Sequence, residues 1–409
     1  MTLFASMRAP RHIAFGWGQR HSLPLYAAPL GKRALIVTDA RMGENVETTA
    51  LVDGLRAAGM EVKVFAETLP EVPLDSIARC LEAGRAFGPD LVIGLGGGSC
   101  LDMAKVTALL LAHGGSVRDY YGEFKVPGPV LPLIALPTTA GTGSEATPVA
   151  VVADSERLLK VGIASPELIP LVAICDPELT MSAPAGLTAI AGADALTHAI
   201  EALTAGPRVV NHETTHAHVF LGKNALSDAN AMEAIRQLSF GLKRSVEDGQ
   251  DREARESVMF GALLAGLAFG AAGTAAAHAI QYPVGALTHT AHGSGVACLM
   301  PYVMQFNLSH AAGSIAKVSE AMGVAVAGDS EMANAERAIA AVETLFAAIG
   351  IPPDLRALGL AEEQKAWVAE QSMSAARLVK NNPRPLDVAA MSAIVEAAYS
   401  GNRSLLRSA

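Results

Sequence analysis

Short apolar runs alternate with amphipathic stretches over residues 1–183. The amphipathic stretches predict helices at 46–58 and 74–87, and the apolar runs predict strands at 33–38, 62–65, 91–95, 131–136 and 171–174. Strands that alternate with helices are typical of a parallel sheet with helices on its faces. The first part of the chain is therefore predicted to be an α/β domain.

The pattern changes near Pro184. Alanine, leucine, methionine, glutamate and arginine then recur at helical spacing and strand signals fade, which predicts an all-helical domain over 184–409. The stretch 258–277 carries no charge and is long enough to resemble a membrane span. It is rich in alanine and glycine and runs directly into His278. We therefore expect a buried helix there and no membrane partner.

Composition narrows the class of protein. A chain of 409 residues is too long for one ordinary core, and 51% hydrophobic with 17% charged residues excludes a disordered chain. A formal net charge of -9 argues against nucleic acid or an anionic membrane as the main partner. The four cysteines form no CxxC pair, and the N-terminus lacks the pattern of a signal peptide. We expect a cytoplasmic protein.

A glycine-rich turn, GLGGGSCLDMAK (94–105), follows an apolar strand and begins a helix. Glycines let the backbone approach a ligand, and a helix N-terminus offers unpaired N–H groups to a pyrophosphate. The turn matches neither GxGxxG nor the Walker sequence, and Ser99 with Asp102 also fits a capping box. The predicted dinucleotide contacts are Gly96, Gly97, Gly98 and Ser99, with Asp102 nearby.

A second turn of this kind, PTTAGTGSE (137–145), follows the strand that ends at Leu136. Its hydroxyls at Thr138, Thr139 and Thr142 are predicted to line the same dinucleotide. Asp39 directly follows the strand through Thr38 and is placed to accept hydrogen bonds from an adenosine ribose, which favours NAD over NADP. A simple turn aspartate is an equally good interpretation of Asp39.

Four residues suggest a metal site in the second half of the chain. Asp194 and His198 are four residues apart and share one face of a predicted helix, and His278 and His292 follow later. One carboxylate and three imidazoles suit Fe(II) or Zn(II). Each histidine by itself is at least as typical of a hydrogen-bonded core, so these residues alone leave metal binding open.

Five motifs in order connect these observations to a family: GGGSCLDMAK, LPTTAGTGSE, DPELT, GADALTHAIEA and HGSGVACLMPYVMQFN. FGWG near the start and NPRP near the end match as well. Over essentially its whole length the chain resembles the iron-dependent (group III) alcohol dehydrogenases. The resemblance implies a Rossmann-like N-terminal domain and an all-helical C-terminal domain, the dehydroquinate synthase-like fold, with ion and nicotinamide meeting in the cleft between them. It also implies a homodimer.

The resemblance assigns roles to residues. Asp194, His198, His278 and His292 fall on the family's four metal-ligand positions, where the ion activates the oxygen of a small alcohol, aldehyde or hydroxyacid for hydride transfer with NAD(P)(H). Leu179, in DPELT, is added to the dinucleotide-binding candidates. NAD is the expected cofactor with NADP as the alternative, and Fe(II) is the expected ion with Zn(II) as the alternative.

Two features depart from the family pattern. Many members carry a histidine four residues after the third ligand, linked to proton transfer, whereas this chain has Tyr282. Tyr282 is interpreted either as a proton relay or as a packing residue against the substrate. An insertion at about 207–224 is the second departure, and both features suggest the hydroxyacid–oxoacid transhydrogenase branch, which acts on 4-hydroxybutyrate. Arg208 or Lys223 would then attract an acidic substrate.

Two other classes compete with the dehydrogenase. HETTH (212–216) fits the HExxH pattern of zinc proteases, although threonines are mediocre helix formers and Glu233 is merely available as a third ligand. The dehydroquinate synthases, which are carbon–oxygen lyases, and the glycerol-1-phosphate dehydrogenases join a similar turn to a similar metal site. Their specific motifs are not found here, so the dehydrogenase is the favoured prediction.

Overall fold

The computed structural model describes residues 3–157 and 160–407, which form two compact units. The sheet unit comprises Arg8–Ser182 and His216–Val219. The helical unit comprises Ala183–Thr215 and the described chain from Phe220 onward, together with the described part of Met1–Met7. That residues 1–183 and 184–409 are separate domains stays a prediction.

The sheet unit is built on six parallel strands in the order β1-β9-β6-β4-β2-β3. A smaller sheet, in the order β5-β8-β7, pairs β5 with β8 in parallel and β8 with β7 antiparallel. The strands are β1 His12–Phe15, β2 Arg33–Val37, β3 Glu61–Phe65, β4 Leu91–Gly96, β5 Gly122–Glu123, β6 Leu133–Pro137, β7 Val149–Val152, β8 Val161–Ala164 and β9 Val172–Cys175. All five predicted strands are present, whereas β1 and the small sheet were not predicted.

Helices cover this sheet and bury its central strands β4, β6 and β9 completely, whereas the edge strands β1 and β3 keep exposed residues. They are α1 Leu23–Ala27, α2 Ala40–Gly43, α3 Val46–Ala57, α4 Leu74–Phe87 and α5 Gly98–His113. Successive residues of β2 alternate between two apolar clusters: Leu35 and Val37 belong to one, and Ile36 belongs to the other. Because both faces are packed, the strands read as continuous apolar runs, as a parallel sheet requires. The predicted α/β, Rossmann-like fold is confirmed.

The helical unit contains no strand among its described residues, which confirms the predicted all-helical half. Its helices are α6 Ala185–Thr204, α8 Ala225–Glu247, α9 Arg252–Ala272, α10 Ala276–Thr288, α11 His292–Ala321, α12 Glu331–Ala348, α13 Lys365–Ser372, α14 Ala376–Asn381 and α15 Val388–Ser400. The short helix α7, Thr214–Ala217, lies in the insertion. α6, α10 and α11 carry the four predicted metal ligands.

The uncharged stretch 258–277 is not one helix, which corrects the prediction for its end. α9 ends at Ala272, Gly273 follows with φ 85°, and α10 begins at Ala276. α9 has the length and composition of a membrane-spanning helix. However, 83% of its most apolar 18-residue stretch is buried inside the protein. Residues 258–272 of α9 are buried on all sides apart from the half-buried Phe260, which explains why this part of the helix lacks a polar face.

Candidate metal centre and dinucleotide-binding turns

The centre of α6 carries two of the predicted ligands. Asp194 and His198 lie one helical turn apart, and His198 Nε2 is 3.7 Å from Asp194 Oδ1. Both side chains are almost completely buried. The i, i+4 spacing in the sequence therefore places them on one face, as predicted.

Two further helices bring the other predicted ligands to the same carboxylate. His278, in α10, places Nε2 3.8 Å from Asp194 Oδ1, and His292, the first residue of α11, places Nε2 at 3.9 Å. The ligand atoms of Asp194, His278 and His292 all lie within 4.8 Å of one another. His198 contacts the same carboxylate but is not part of that mutually close group.

The arrangement of these atoms fits a divalent ion. His278 Nε2 is buried and has no hydrogen-bond partner among the described residues, although buried polar atoms normally have one. Distances of 3.7–3.9 Å are too long for hydrogen bonds. An ion with bonds of about 2.1 Å separates its ligands by roughly 3–3.6 Å. A small contraction would therefore let one ion bind Asp194, His278 and His292, and His198 would have to move closer to the other two imidazoles to join them.

Aromatic packing holds the imidazole rings in place. The His198 ring stacks between Phe269, at 4.2 Å between centroids, and His278, at 4.7 Å. The rings of His278 and His292 are tilted, with centroids 5.3 Å apart. The His292 side chain is 33% exposed, in contrast to the others. The candidate centre is therefore closely packed around His198 and His278 and partly exposed to solvent at His292.

Two glycines after His292 allow the helices to approach this closely. A Cβ on Gly293 would lie 2.4 Å from the Ile190 carbonyl oxygen and 3.0 Å from Asp194 Cβ. A Cβ on Gly295 would lie 1.7 Å from Gln281 Oε1. The Ile190 backbone leaves no room for a side chain at Gly293, whereas at Gly295 the Gln281 amide group would have to move. The HGSG pattern thus supplies one predicted ligand and the room in which α11 packs against α6 and α10.

Glu201, one turn beyond His198 on α6, is a buried residue that sequence reasoning had not singled out. Its Oε2 lies 2.6 Å from His278 Nδ1 and accepts a hydrogen bond from Ala275 N at 2.8 Å, and its Oε1 accepts from Ala277 N at 2.7 Å. Burial alone would raise the pKa of Glu201, but the charge and hydrogen bonds of His278 and the two N–H groups lower it overall. The only signal in the sequence was its place in HAIEA, three residues after His198.

Tyr282 lies against the metal centre. Its ring stacks on His292, with centroids 6.3 Å apart and planes at 25°. Burial raises the pKa of the phenol above its usual value, and Glu201 and Asp194 raise it further, while Arg377 acts in the opposite direction. The phenol is therefore protonated at neutral pH and is a poor general base.

The glycine-rich turn begins α5 without a side-chain cap. Gly97 is the N-cap residue, and no side chain bonds to the first turn, so the predicted capping box of Ser99 and Asp102 is wrong. Ser99 Oγ instead accepts from Glu71 N at 3.2 Å. Gly96 has φ 148°, a conformation that side chains rarely adopt. The first N–H groups of α5 are left available to a ligand.

The second turn packs directly on the first. A Cβ on Gly98 would lie 2.6 Å from Thr142 Cγ2, and one on Gly97 would lie 3.3 Å from Thr139 Oγ1. Thr138 N donates to Gly96 O at 3.0 Å. Thr138 Oγ1 is buried and has no hydrogen-bond partner among the described residues. The structure therefore brings the predicted glycines and threonines together.

Asp102 and Lys105 connect α5 to the chain after the second turn. Asp102 accepts from Ser144 Oγ at 2.7 Å and from Val151 N at 2.9 Å. Lys105 Nζ is buried and donates to Thr147 O at 2.9 Å and to Val149 O at 2.8 Å. Burial, partly offset by Asp102 and Glu145, lowers the pKa of Lys105 to about 8. These bonds place Asp102 beneath the turns as a structural link.

The last two dinucleotide candidates have structural partners of their own. Asp39 is the N-cap of α2, where its Oδ1 accepts from Met42 N at 2.8 Å, and its Oδ2 lies 3.8 Å from Cys100 Sγ. Leu179 is 5% exposed and belongs to an apolar cluster with Leu95. Asp39 therefore caps α2, and a role of either residue toward a dinucleotide stays a prediction.

The insertion does not have the geometry of a zinc protease site. His212 and Glu213 precede α7, which spans Thr214–Ala217, so the two histidines of HETTH do not share one helix face. The His212 side chain is 90% exposed. Lys223, one of the two cations expected to attract an acidic substrate, bonds to Asp228 at 2.7 Å and to Leu203 O. Its charge is therefore already compensated within the protein.

Comparisons with known proteins agree with this architecture. Residues 10–177 match the family described as iron-containing alcohol dehydrogenase, and residues 188–399 match the C-terminal domain of the Fe-containing alcohol dehydrogenase family. The chain is 37% identical to long-chain-alcohol dehydrogenase 1 of Geobacillus thermodenitrificans, over 94% of each chain. It is 35% identical to the NAD-dependent methanol dehydrogenase of Bacillus methanolicus, over 89% of this chain and 92% of that one. A crystal structure of 1,3-propanediol oxidoreductase covers 97% of this chain and 100% of its own, with 33% identity and a TM-score of 0.90.

Proposed function

Because the chain belongs to the iron-containing alcohol dehydrogenase family, we propose that it is a metal-dependent oxidoreductase that transfers a hydride between NAD(H) and a small alcohol or aldehyde. The observation that carries the proposal is the convergence of three imidazole Nε2 atoms on Asp194 Oδ1 at 3.7–3.9 Å. Relatives named for alcohol, methanol and propanediol oxidation support the reaction type. A homodimer in the cytoplasm is part of the proposal.

Asp194, His198, His278 and His292 are the proposed ligands of one Fe(II) or Zn(II) ion. When bound, the ion supplies Lewis acidity toward the substrate oxygen. The ligand set suits both ions, since each accepts imidazole and carboxylate. Because the His292 side chain is partly exposed, the substrate is proposed to reach the ion from the side of His292.

The two glycine-rich turns are the proposed dinucleotide site. The N-terminus of α5 offers N–H groups and the positive end of its dipole to the pyrophosphate, at Gly97, Gly98 and Ser99. Thr138 Oγ1 offers a buried hydroxyl with no other partner in the described chain. Thr139, Thr142 and Asp39 complete the proposed contacts, and Asp39 favours NAD over NADP. Asp102 acts by holding the second turn in place.

Tyr282 is proposed to orient His292 and the substrate by packing. A protonated phenol donates a hydrogen bond but does not remove a proton at neutral pH. Its ring stacks on His292, the most exposed of the four proposed ligands. Tyr282→Phe should then keep kcat within about tenfold of wild type, since a positioned proton-transfer group contributes about 100-fold or more.

The direct test is metal-dependent turnover. The protein is purified anaerobically, loaded with Fe(II) or Zn(II), and followed at the NADH absorbance band with 1,3-propanediol, lactaldehyde, short aldehydes and 4-hydroxybutyrate. A change in NADH that requires the ion supports the proposal. Loss of NADH turnover on every substrate, with the ion bound, would contradict it.

The second candidate, a hydroxyacid–oxoacid transhydrogenase, is tested in the same assay. The insertion and Tyr282 favour it, although the structure compensates Lys223 with Asp228 and leaves Arg208 as the remaining predicted cation. Exchange between 4-hydroxybutyrate and an oxoacid without release of free NADH would favour this candidate. Turnover of plain alcohols alone would exclude it.

A further inference from the structure

We propose that Glu201 is a positioning residue of the metal centre, which fixes both the backbone and the ring of His278 so that Nε2 is aimed at the ion. This role goes beyond the four ligands and rests on the proposed metal site. Three contacts carry it: His278 Nδ1 at 2.6 Å, Ala275 N at 2.8 Å and Ala277 N at 2.7 Å, all to one buried carboxylate.

Glu201 compensates for a missing cap on α10. The N-cap residue of α10 is Ala275, and its alanine side chain provides no hydrogen bond to the first turn. The orphan N–H groups of a helix start need acceptors, especially when they are buried. Glu201 of α6 accepts hydrogen bonds from two of these N–H groups, those of Ala275 and Ala277. The first turn of α10, which contains His278, is thereby fastened to the helix that carries Asp194 and His198.

The same carboxylate selects the tautomer of His278. An ionised carboxylate only accepts hydrogen bonds, so His278 Nδ1 must carry the proton in their 2.6 Å contact. Nε2 of the neutral ring is then an unprotonated donor atom, which a metal ion requires. Nε2 is also the ring atom that lacks a hydrogen-bond partner in the described chain and faces Asp194 Oδ1 at 3.8 Å. Carboxylate–histidine pairs of this kind raise the basicity of the ligand.

A purely structural cap would predict a different outcome from a positioning residue. A cap stabilises the apo protein, and its removal lowers the melting temperature but leaves the affinity of the folded protein for metal unchanged. A positioning residue changes that affinity through His278. The distinction therefore requires metal binding and apo stability to be measured separately.

The experiment measures Zn(II) affinity of the apo protein by competition with a chromophoric chelator, for wild type, Glu201→Gln, His278→Ala and the double variant. Glutamine keeps the volume and one acceptor oxygen but no longer enforces the proton on Nδ1. We expect Glu201→Gln to weaken Zn(II) binding about 10- to 100-fold. In the His278→Ala background the same substitution should change the remaining affinity by less than twofold, because Glu201 acts through His278.

Thr204→Val is the matched control. Thr204 is buried on α6, three residues after Glu201, and its Oγ1 donates to Ile200 O at 2.8 Å and to the backbone carbonyl of Glu201 at 3.5 Å, not to the Glu201 carboxylate. Zn(II) affinity should stay at the wild-type value, whichever way the loss of this back-bonding hydroxyl changes the melting temperature. Glu201→Gln with wild-type Zn(II) affinity, or with an equal loss in both backgrounds, would overturn the inference. Failure of the wild-type protein itself to bind Zn(II) or Fe(II) would instead overturn the proposed function.

Discussion

The two candidate sites use opposite means to bind their ligands. The turns of the sheet unit offer backbone N–H groups and threonine hydroxyls from two short contiguous segments, 96–99 and 138–142, at the ends of β4 and β6. The metal centre offers side chains from three helices, and its members Glu201 and His278 are 77 residues apart in the chain. One site depends on local turn chemistry, whereas the other depends on how closely helices pack.

Glycine has a different function in each region. In the turns, Gly96 adopts φ 148° and Gly98 lets Thr142 approach the start of α5. In the candidate metal centre, Gly293 and Gly295 lie in α11. Because they have no side chains, α11 can pack closely against α6 and α10. A substitution at either kind of glycine should therefore damage one site and spare the other.

The largest effect is expected from the loss of a ligand. His278→Ala should weaken metal binding so far that the purified protein carries no metal, and should lower kcat by at least about 1,000-fold, because the Lewis acidity of the ion contributes several kcal/mol. Metal content per chain and steady-state turnover measure this. The affinity for NADH should stay at the wild-type value, since His278 belongs to the helical unit. A His278→Ala variant that is active without bound metal would contradict the assignment of catalysis to the metal centre.

The next effect is expected in the turns. Gly98→Ala places a Cβ 2.6 Å from Thr142 Cγ2 and should weaken NADH binding about 10- to 100-fold, as 1–3 kcal/mol of overpacking would. Fluorescence titration with NADH measures it, and Zn(II) affinity should not change. Gly128→Ala is the matched control, because nothing lies within 4 Å of that Cβ. Equal effects of the two substitutions would refute the role of Gly98.

A third prediction concerns Gly295, which is not a proposed ligand and acts only through the packing of α11 against α10. Gly295→Ala places a Cβ 1.7 Å from Gln281 Oε1, so that the buried Gln281 amide must move, and should lower the free energy of unfolding by about 1 kcal/mol, together with Zn(II) affinity. Adding Gln281→Ala should restore part of both losses. Gly186→Ala in α6, with open space around its Cβ, is the control. Urea unfolding and chelator competition measure the two quantities, and a neutral Gly295→Ala would contradict the packing argument.

The patterns in the sequence predicted both halves of the fold but only part of the sites. Apolar runs identified β2, β4, β6 and β9 because these strands are buried on both faces, and the glycine-rich turns were recognisable because their function is local. β1 has only four residues, with two exposed, and gave little signal. Glu201 could not be assigned, because its role depends on the contact of α6 with the start of α10. The ligands themselves were assigned by resemblance to the family.

The smallest effect concerns a charge beneath the turns. Burial lowers the pKa of Lys105 to about 8, below its usual value of 10.5, so between these pH values the unfolded chain binds more protons than the native protein. The contribution of Lys105 to the free energy of unfolding should therefore rise with pH from 8 to 10.5, by on the order of 1–3 kcal/mol. Urea unfolding of wild type and Lys105→Met across this range measures it. Parallel pH profiles of the two proteins would contradict the prediction.

The central claim is that one ion at Asp194, His198, His278 and His292 makes the protein a dehydrogenase. Its most direct test is a titration of metal-free protein with Fe(II) or Zn(II) while NADH formation from 1,3-propanediol and other primary alcohols is followed. The account predicts that turnover rises with the ion and reaches its maximum at one equivalent per chain, and that His278→Ala binds the ion far more weakly and shows no turnover at one equivalent. Full turnover by metal-free protein would contradict it.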